Sequence, residues 1–383
     1  MNYFSNINTY LSYAVTRLTT SNYNEIDALV FSQLSYYPFE QIISDFERCQ
    51  ISVPEFANLV MHQQDFSNLY SQDKQIFISK LAQSKRYANC IIRHMRAEKE
   101  ENIQWAAFTV DINSAGTAVI AMRGTDGTTI GWAENFRLAY QVIGTGAQLE
   151  SFRYLKNITA KRIYLTGHSK GGSNVCSAYV MSNAYIRDKI VRIDNFDGPG
   201  VNPEFAANYA DGYEELESKL NNFYPGDSII GQLLQDNPGK SFYIQTKVRD
   251  VYAHKPISGQ HDPFAFLVKG DQFLKTKQTE LSKGINDIVD GLVNKTTNIQ
   301  RYYLIQFVQR IGIPALISGD EGGAVAAVAH FVCGVIQTPP EEKKILFQVI
   351  CSFIKNLIRQ GKEWIAQHWP KGYNKSNVIQ ATI

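Results

Sequence analysis

The chain has 383 residues, 44% of them hydrophobic, with 21 Phe and 21 Tyr. That exceeds the roughly 250–300 residues one core usually holds, and it excludes global disorder. Lys and Arg total 38 against 36 Asp and Glu, a net charge of +2 with no basic block, which argues against a dedicated nucleic-acid binder. In chain order, Met1 to Asn6 shows no basic or apolar signal region, so no Sec-type signal is expected. Cytoplasmic location or export by a leaderless route follows as the expectation. Residues 1–102 then read as a helical segment packed on the core. Ile26, Leu29, Val30, Leu34 and Tyr37 form one apolar stripe behind Asn24, an N-cap candidate. A second helix is predicted from Pro54. The run Arg93 to Glu101 mixes both charge signs and reads as the solvated face of a helix ending near Glu101.

From 103 to 270 the period shortens. Apolar runs of strand length recur at 105–112, 117–122, 163–166, 190–196 and 242–246, with helical stretches at 172–184 and 214–220. Strands alternating with helices predict an α/β core with a mainly parallel sheet. The first two runs are joined by Asn113, Ser114, Ala115 and Gly116, a turn cluster that predicts an antiparallel hairpin. From 271 to 383 helices are expected again, over 282–294, 301–311, 322–336 and 341–364. The longest apolar stretch, 324–336, contains His330 and falls short of the ~18–20 residues of a spanning helix, so no transmembrane segment is expected. Five cysteines (Cys49, Cys90, Cys176, Cys333, Cys351) make no CxxC pair, so neither a zinc site nor a disulfide framework is expected.

The sharpest signal is Gly167-His168-Ser169-Lys170-Gly171-Gly172, a G-x-S-x-G with a predicted strand before it and a helix after it. A serine on so tight a turn has strained backbone angles, and flanking glycines remove the Cβ atoms that would clash. Ser169 is the expected nucleophile. A serine hydroxyl needs a base and an orienting carboxylate, which in such folds follow in the order Ser, Asp or Glu, His. Four histidines lie beyond Ser169: His254, His261, His330 and His368. His261, in a loop beyond the 242–246 strand, is favoured over His254 as the base. Asp227, at the end of a short strand-like run, is the leading acid, with Asp250 behind it; Asp194 and Asp197 lie at a strand end but close after the nucleophile. The oxyanion needs two backbone N–H donors. Lys170, next to the nucleophile, and Thr125, in the turn after Ala121-Met122-Arg123-Gly124, are expected to supply them, with Asp126 holding the Thr125 hydroxyl.

Arg123-Gly124-Thr125-Asp126, then Gly131-Trp132-Ala133-Glu134-Asn135-Phe136, then Gly167 to Gly172 resemble the class 3 (fungal-type) lipase branch of the α/β-hydrolases. Within it the chain is most similar to a bacterial lipase-like family of unknown function, the Mbeg-like proteins. Asn24 to Val30, Leu34 to Tyr36, Asn195 to Gly200 and Gln260 to Phe264 carry the same likeness, which covers about residues 22–275. The resemblance implies an α/β-hydrolase with Ser169, Asp227 and His261 as triad, and Thr125 with Lys170 as oxyanion hole. Two departures stand out. Phe266 replaces a Trp common in relatives, and Lys170 replaces the Leu usual in class 3 lipases. A cation at a helix N-terminus is unfavourable, so an acidic partner for Lys170 is one expectation.

The function expected from these residues is a serine esterase of lipase or phospholipase type, acting on lipid or other acyl esters without cofactor or metal. Partners are expected to be the substrate, a membrane surface touched peripherally, and a helical protein at the C-terminal region, with no nucleic acid. A non-catalytic binding module with a hydrolase shell and an exported lipolytic effector with a helical partner are the alternatives. The small-residue stretch 322–336 reads as a buried helix rather than a lid.

Overall fold

The computed structural model describes residues 5–100, 103–112, 116–125, 134–247 and 256–310, with 339–340, 342–344 and 347. Helix α1 spans Ile7–Tyr13 and α2 spans Glu25–Leu34. Asn24 starts α2 as its spacing predicts: its side chain accepts the N–H groups of Ile26 and Asp27, and Asp27 accepts the Asn24 N–H. This reciprocal cap satisfies donors that a helix start leaves open. The stripe Ile26, Leu29, Val30, Leu34 and Tyr37 is buried throughout. Helix α3, Val53–Met61, opens with Pro54 and a second such cap from Ser52 and Glu55, and α4 follows at Gln72–Ala82.

The helix expected to end near Glu101 is instead a strand. Strand β1 is Ile51–Ser52, β2 is Ile91–Glu100 and β3 is Ile103–Asp111, and β2 pairs antiparallel with both neighbours. A register shift between Arg93 and Arg96, with His94 at φ 50°, puts Ile92 and Met95 both in the core. A bulge thus turns strand alternation into a spacing of three, which imitates a helix. Arg93 pairs with Asp111 across the ladder at 2.5 and 2.8 Å, so its charge belongs to a cross-strand pair rather than a helix face.

The expected hairpin is present, β3 running antiparallel to β4, Thr117–Met122. Strands β5 (Arg162–His168), β6 (Ile190–Phe196), β7 (Leu220–Pro225) and β8 (Lys240–Ile244) continue parallel to β4. Short strands β9 (Val268–Lys269) and β10 (Gln272–Phe273) pair with each other, and β11 (Lys275–Thr276) adds antiparallel to β8. The main sheet has the order β1-β2-β3-β4-β5-β6-β7-β8-β11. It is mixed rather than mainly parallel: β4 to β8 run parallel, β2, β3 and β4 follow one another through short connections and so pair antiparallel, and the end strands β1 and β11 also add antiparallel.

Both faces of this sheet are covered, which explains the unbroken apolar strands. In β4, Val119 and Ala121 join the core beneath α1 to α4, while Ala118, Ile120 and Met122 join the core beneath helices α5 (Gly146–Lys156) and α6 (Lys170–Val180). The helical stretch expected over 214–220 ends at Leu216, and Leu220 already begins β7. Helix α7 is Pro256–His261, and the C-terminal region gives α8, Glu280–Lys295, and α9, Asn298–Arg310, close to the expected bounds. Arg301 fastens this pair by donating to the Ala139 and Val293 carbonyls at 2.8 Å each and by pairing with Glu204. The expected helix over 322–336 and most of 341–364 lie outside the described residues. Among the described residues no helix is long and apolar enough to cross a membrane.

Candidate active site

Strand β5 ends at His168, helix α6 begins at Lys170, and Ser169 alone makes the turn. Its backbone sits at φ 57° and ψ −131°, a region that side chains other than glycine rarely enter and that costs on the order of 1–3 kcal/mol. The neighbouring glycine is forced by space: a Cβ on Gly167 would fall 2.2 Å from the Gly171 carbonyl oxygen. The Ser169 N–H donates to the Phe196 carbonyl at 2.9 Å, which ties the turn to the end of β6.

Asp197 follows β6 as Ser169 follows β5. Since His168 and Phe196 are register partners on adjacent parallel strands, Ser169 and Asp197 emerge side by side at the carboxyl edge of the sheet. Asp197, also at positive φ (50°), is buried, and its Oδ2 lies 2.7 Å from His261 Nδ1. Its Oδ1 accepts the Ser228 hydroxyl at 2.5 Å and the Gly231 N–H at 3.1 Å. The carboxylate set against His261 is therefore Asp197, not Asp227. Asp227 lies one strand further along, just past β7, half-buried, with Oδ1 buried and unbonded. Burial, and then the Asp197 charge, raise its carboxyl above the usual range. Among the described residues no hydrogen bond joins Ser169 to His261. The alternatives His254 and Asp250 lie outside the described residues.

The strand-end turn after β4 approaches from the other side. Arg123 is buried, donating to the Ser35 and Tyr37 carbonyls at 2.5 and 3.1 Å and pairing with Glu40 at 2.6 Å, so this motif arginine anchors the turn to the end of α2. Thr125 keeps its hydroxyl on the side-chain amide of Asn135, 2.9 Å from Nδ2. Asp126, expected to hold that hydroxyl, lies outside the described residues. Lys170 does meet an acid: its ammonium is buried 2.8 Å from Glu134 Oε2. Among the described residues no group of three His, Cys, Asp or Glu side chains converges as metal ligands would.

The sequence profile of the Mbeg1-like family matches residues 81–309, more than half of the chain, and spans Ser169, Asp197 and His261. The chain belongs to the Mbeg1-like family. No curated protein matches it. Solved structures similar to it include a lipase from Rhizopus microsporus var. chinensis, at 13% identity and TM-score 0.35, covering 70% of this chain and 84% of that one. A Rhizomucor miehei lipase propeptide complex is 13% identical at TM-score 0.34, over 73% and 81% of the two chains. Lip2 lipase from Yarrowia lipolytica is 14% identical at TM-score 0.32, over 53% and 78%. Likeness this remote carries no chemistry to the Mbeg1-like chain.

Two residues of this Mbeg1-like site had no role assigned from sequence. His168 is buried, with Nε2 2.9 Å from the His261 carbonyl and Nδ1 2.9 Å from the Tyr36 hydroxyl. The carbonyl can only accept, so Nε2 carries the proton and the Tyr36 O–H donates to Nδ1. The two imidazole rings lie 4.4 Å apart between centroids. Burial, and then the adjacent His261, hold His168 well below the ordinary imidazole range, so it serves as a neutral bracket for the His261 backbone. The sequence signal for both lies in the motif residues themselves, Tyr36 in the Leu34 to Tyr36 run and His168 beside the serine.

Proposed function

We propose that the protein is a serine hydrolase that cleaves carboxylic esters, with lipid-like acyl esters as the substrate class. The observation that carries this reading is Ser169, held in a strained turn at the sheet edge where buried Asp197 pairs with the partly exposed His261. In this scheme Ser169 Oγ attacks the ester carbonyl as His261 Nε2 takes its proton. Asp197 holds the Nδ1–H, fixes the tautomer and stabilises the imidazolium. The oxyanion accepts hydrogen bonds from the Thr125 and Lys170 N–H groups. His261 then protonates the leaving alcohol, and next deprotonates the water that hydrolyses the acyl-enzyme. The Ser169–His261 hydrogen bond closes with substrate, as such bonds commonly tighten only in the complex. The lipid assignment rests on the likeness of Arg123 to Asp126 and of Gly167 to Gly172 to class 3 lipases.

The test is labelling with a fluorophosphonate probe, wild type against Ser169→Ala, followed by a panel of esters and phospholipids. Labelling of wild type and none of the variant is expected, because only an activated serine reacts. If folded wild type stays unlabelled even with lipid or detergent present, the hydrolase reading fails and a non-catalytic binding module takes its place.

A further inference from the structure

The Lys170 side chain runs beneath the serine turn into a buried polar chain. Its Nζ lies 2.5 Å from the Gln104 carbonyl oxygen, 2.8 Å from Gln104 Oε1 and 2.8 Å from Glu134 Oε2. Lys170 is 2% exposed, Gln104 2% and Glu134 0%. Glu134 is itself anchored, accepting the Ala147 N–H at 2.6 Å at the start of α5 and the Gln104 N–H at 3.3 Å. Gln104 Nε2 then donates to the Gly124 carbonyl oxygen at 3.3 Å.

That last bond reaches one half of a peptide whose other half is the Thr125 N–H. In a trans peptide the C=O and N–H point in opposite directions. Holding the Gly124 oxygen on Gln104 therefore turns the Thr125 N–H away from Gln104. Gly124 lies hard against the serine turn, where a Cβ on it would fall 2.5 Å from the His168 carbonyl oxygen. The glutamine amide cannot turn over to release the peptide. An ammonium has only donors to offer, so the Gln104 atom facing Lys170 must be Oε1, and Nε2 must face Gly124. A leucine at position 170 would leave that amide free to flip.

We propose that Glu134, Lys170 and Gln104 form a positioning relay that holds the Gly124–Thr125 peptide with its N–H presented to the reacting centre, so that the oxyanion hole stands ready before substrate arrives. The inference rests on the hydrolase reading and deepens it. Lys170 acts twice: its backbone N–H is one donor, and its side chain, through Gln104, orients the other. Glu134 neutralises the buried ammonium and aims it. Asn135, the next residue, holds the Thr125 hydroxyl, so the peptide and the side chain of Thr125 are tied to one short segment.

The experiment compares wild type, Gln104→Met and the double variant Lys170→Met with Glu134→Gln, in ester hydrolysis and in inhibition by an alkyl boronic acid. The boronate forms a tetrahedral adduct on serine and so reads the oxyanion hole directly. Gln104→Met leaves the ion pair whole and is the variant expected to keep the fold, checked by thermal unfolding. Loss of one oxyanion donor typically lowers kcat by ~10²–10³, so loosening one is expected to lower it by about tenfold or more, with KM unchanged and boronate affinity falling in proportion. Folded variants with wild-type kcat and boronate affinity would overturn the relay and leave the hydrolase reading intact. A rise in KM alone would do the same, since it would place the loss in substrate binding. Wild type that takes neither ester nor boronate would remove the hydrolase reading and the relay with it.

Discussion

Asp197 gathers three donors on two oxygens: the His261 ring, the Ser228 hydroxyl and the Gly231 N–H. A carboxylate so saturated is fixed in orientation, and it fixes the imidazole in turn. In the proposed mechanism Asp197→Asn puts an amide donor or a weaker acceptor against Nδ1 and favours the wrong tautomer. Its kcat is expected to fall by roughly 10³–10⁴, with the fold retained. Asp227→Asn, by contrast, removes a carboxyl already disfavoured by burial and by Asp197. Steady-state hydrolysis by this variant is expected to match wild type, and the opposite pattern would restore Asp227 as the acid. Asp197 was visible in the sequence as a strand-end aspartate. What placed it below Asp227 was its nearness to Ser169 in the chain, and that separation carries no information once parallel strands stand adjacent.

At the scale of the element, the serine turn is local structure held against its own preference. Ser169 at φ 57° and ψ −131° occupies backbone space that glycine enters at little cost. Ser169→Gly is therefore expected to stabilise the protein by about 1 kcal/mol while removing activity, an outcome that thermal unfolding checks. A stability loss would mean that the turn is not strained. Motif and strain were both legible, since strand, glycine, serine, glycine and helix recur in one short run. Strand β2 was not. Its bulge places Ile92 and Met95 on one face at a spacing of three, and a single sequence cannot separate that from a helix until β3 is paired beside it.

Across the molecule, the helical layer that carries Tyr36 to the site is bolted down by a buried cluster around Asp27. Its carboxylate receives Arg86 at 2.6 and 2.7 Å, and the Tyr10 and Tyr87 hydroxyls at 3.1 and 2.6 Å. These partners come from α1 and from the segment entering β2. Asp27→Ala would strand a buried guanidinium and two hydroxyls, and a loss of about 3–5 kcal/mol is expected in denaturant unfolding. A loss below about 1 kcal/mol would show that water reaches the cluster.

The sequence by itself determined the capped, striped helix after Asn24, the alternation of strands and helices from β3 to β8, and the strand-to-helix turn at Ser169. Each of these depends on neighbours within a few residues, where spacing and side-chain size act directly. His261 was expected in a loop and instead ends helix α7, and its pairing with Asp197 was not legible in the sequence. The tertiary structure decided the mixed character of the sheet, the Asp197–His261 contact, the Tyr36–His168 bracket and the path from Lys170 through Gln104 to Gly124. Those contacts join residues 36 and 168, 104 and 170, or 197 and 261. Nothing local ranks one distant partner above another; strand register does, by bringing the ends of β4, β5 and β6 to a single edge.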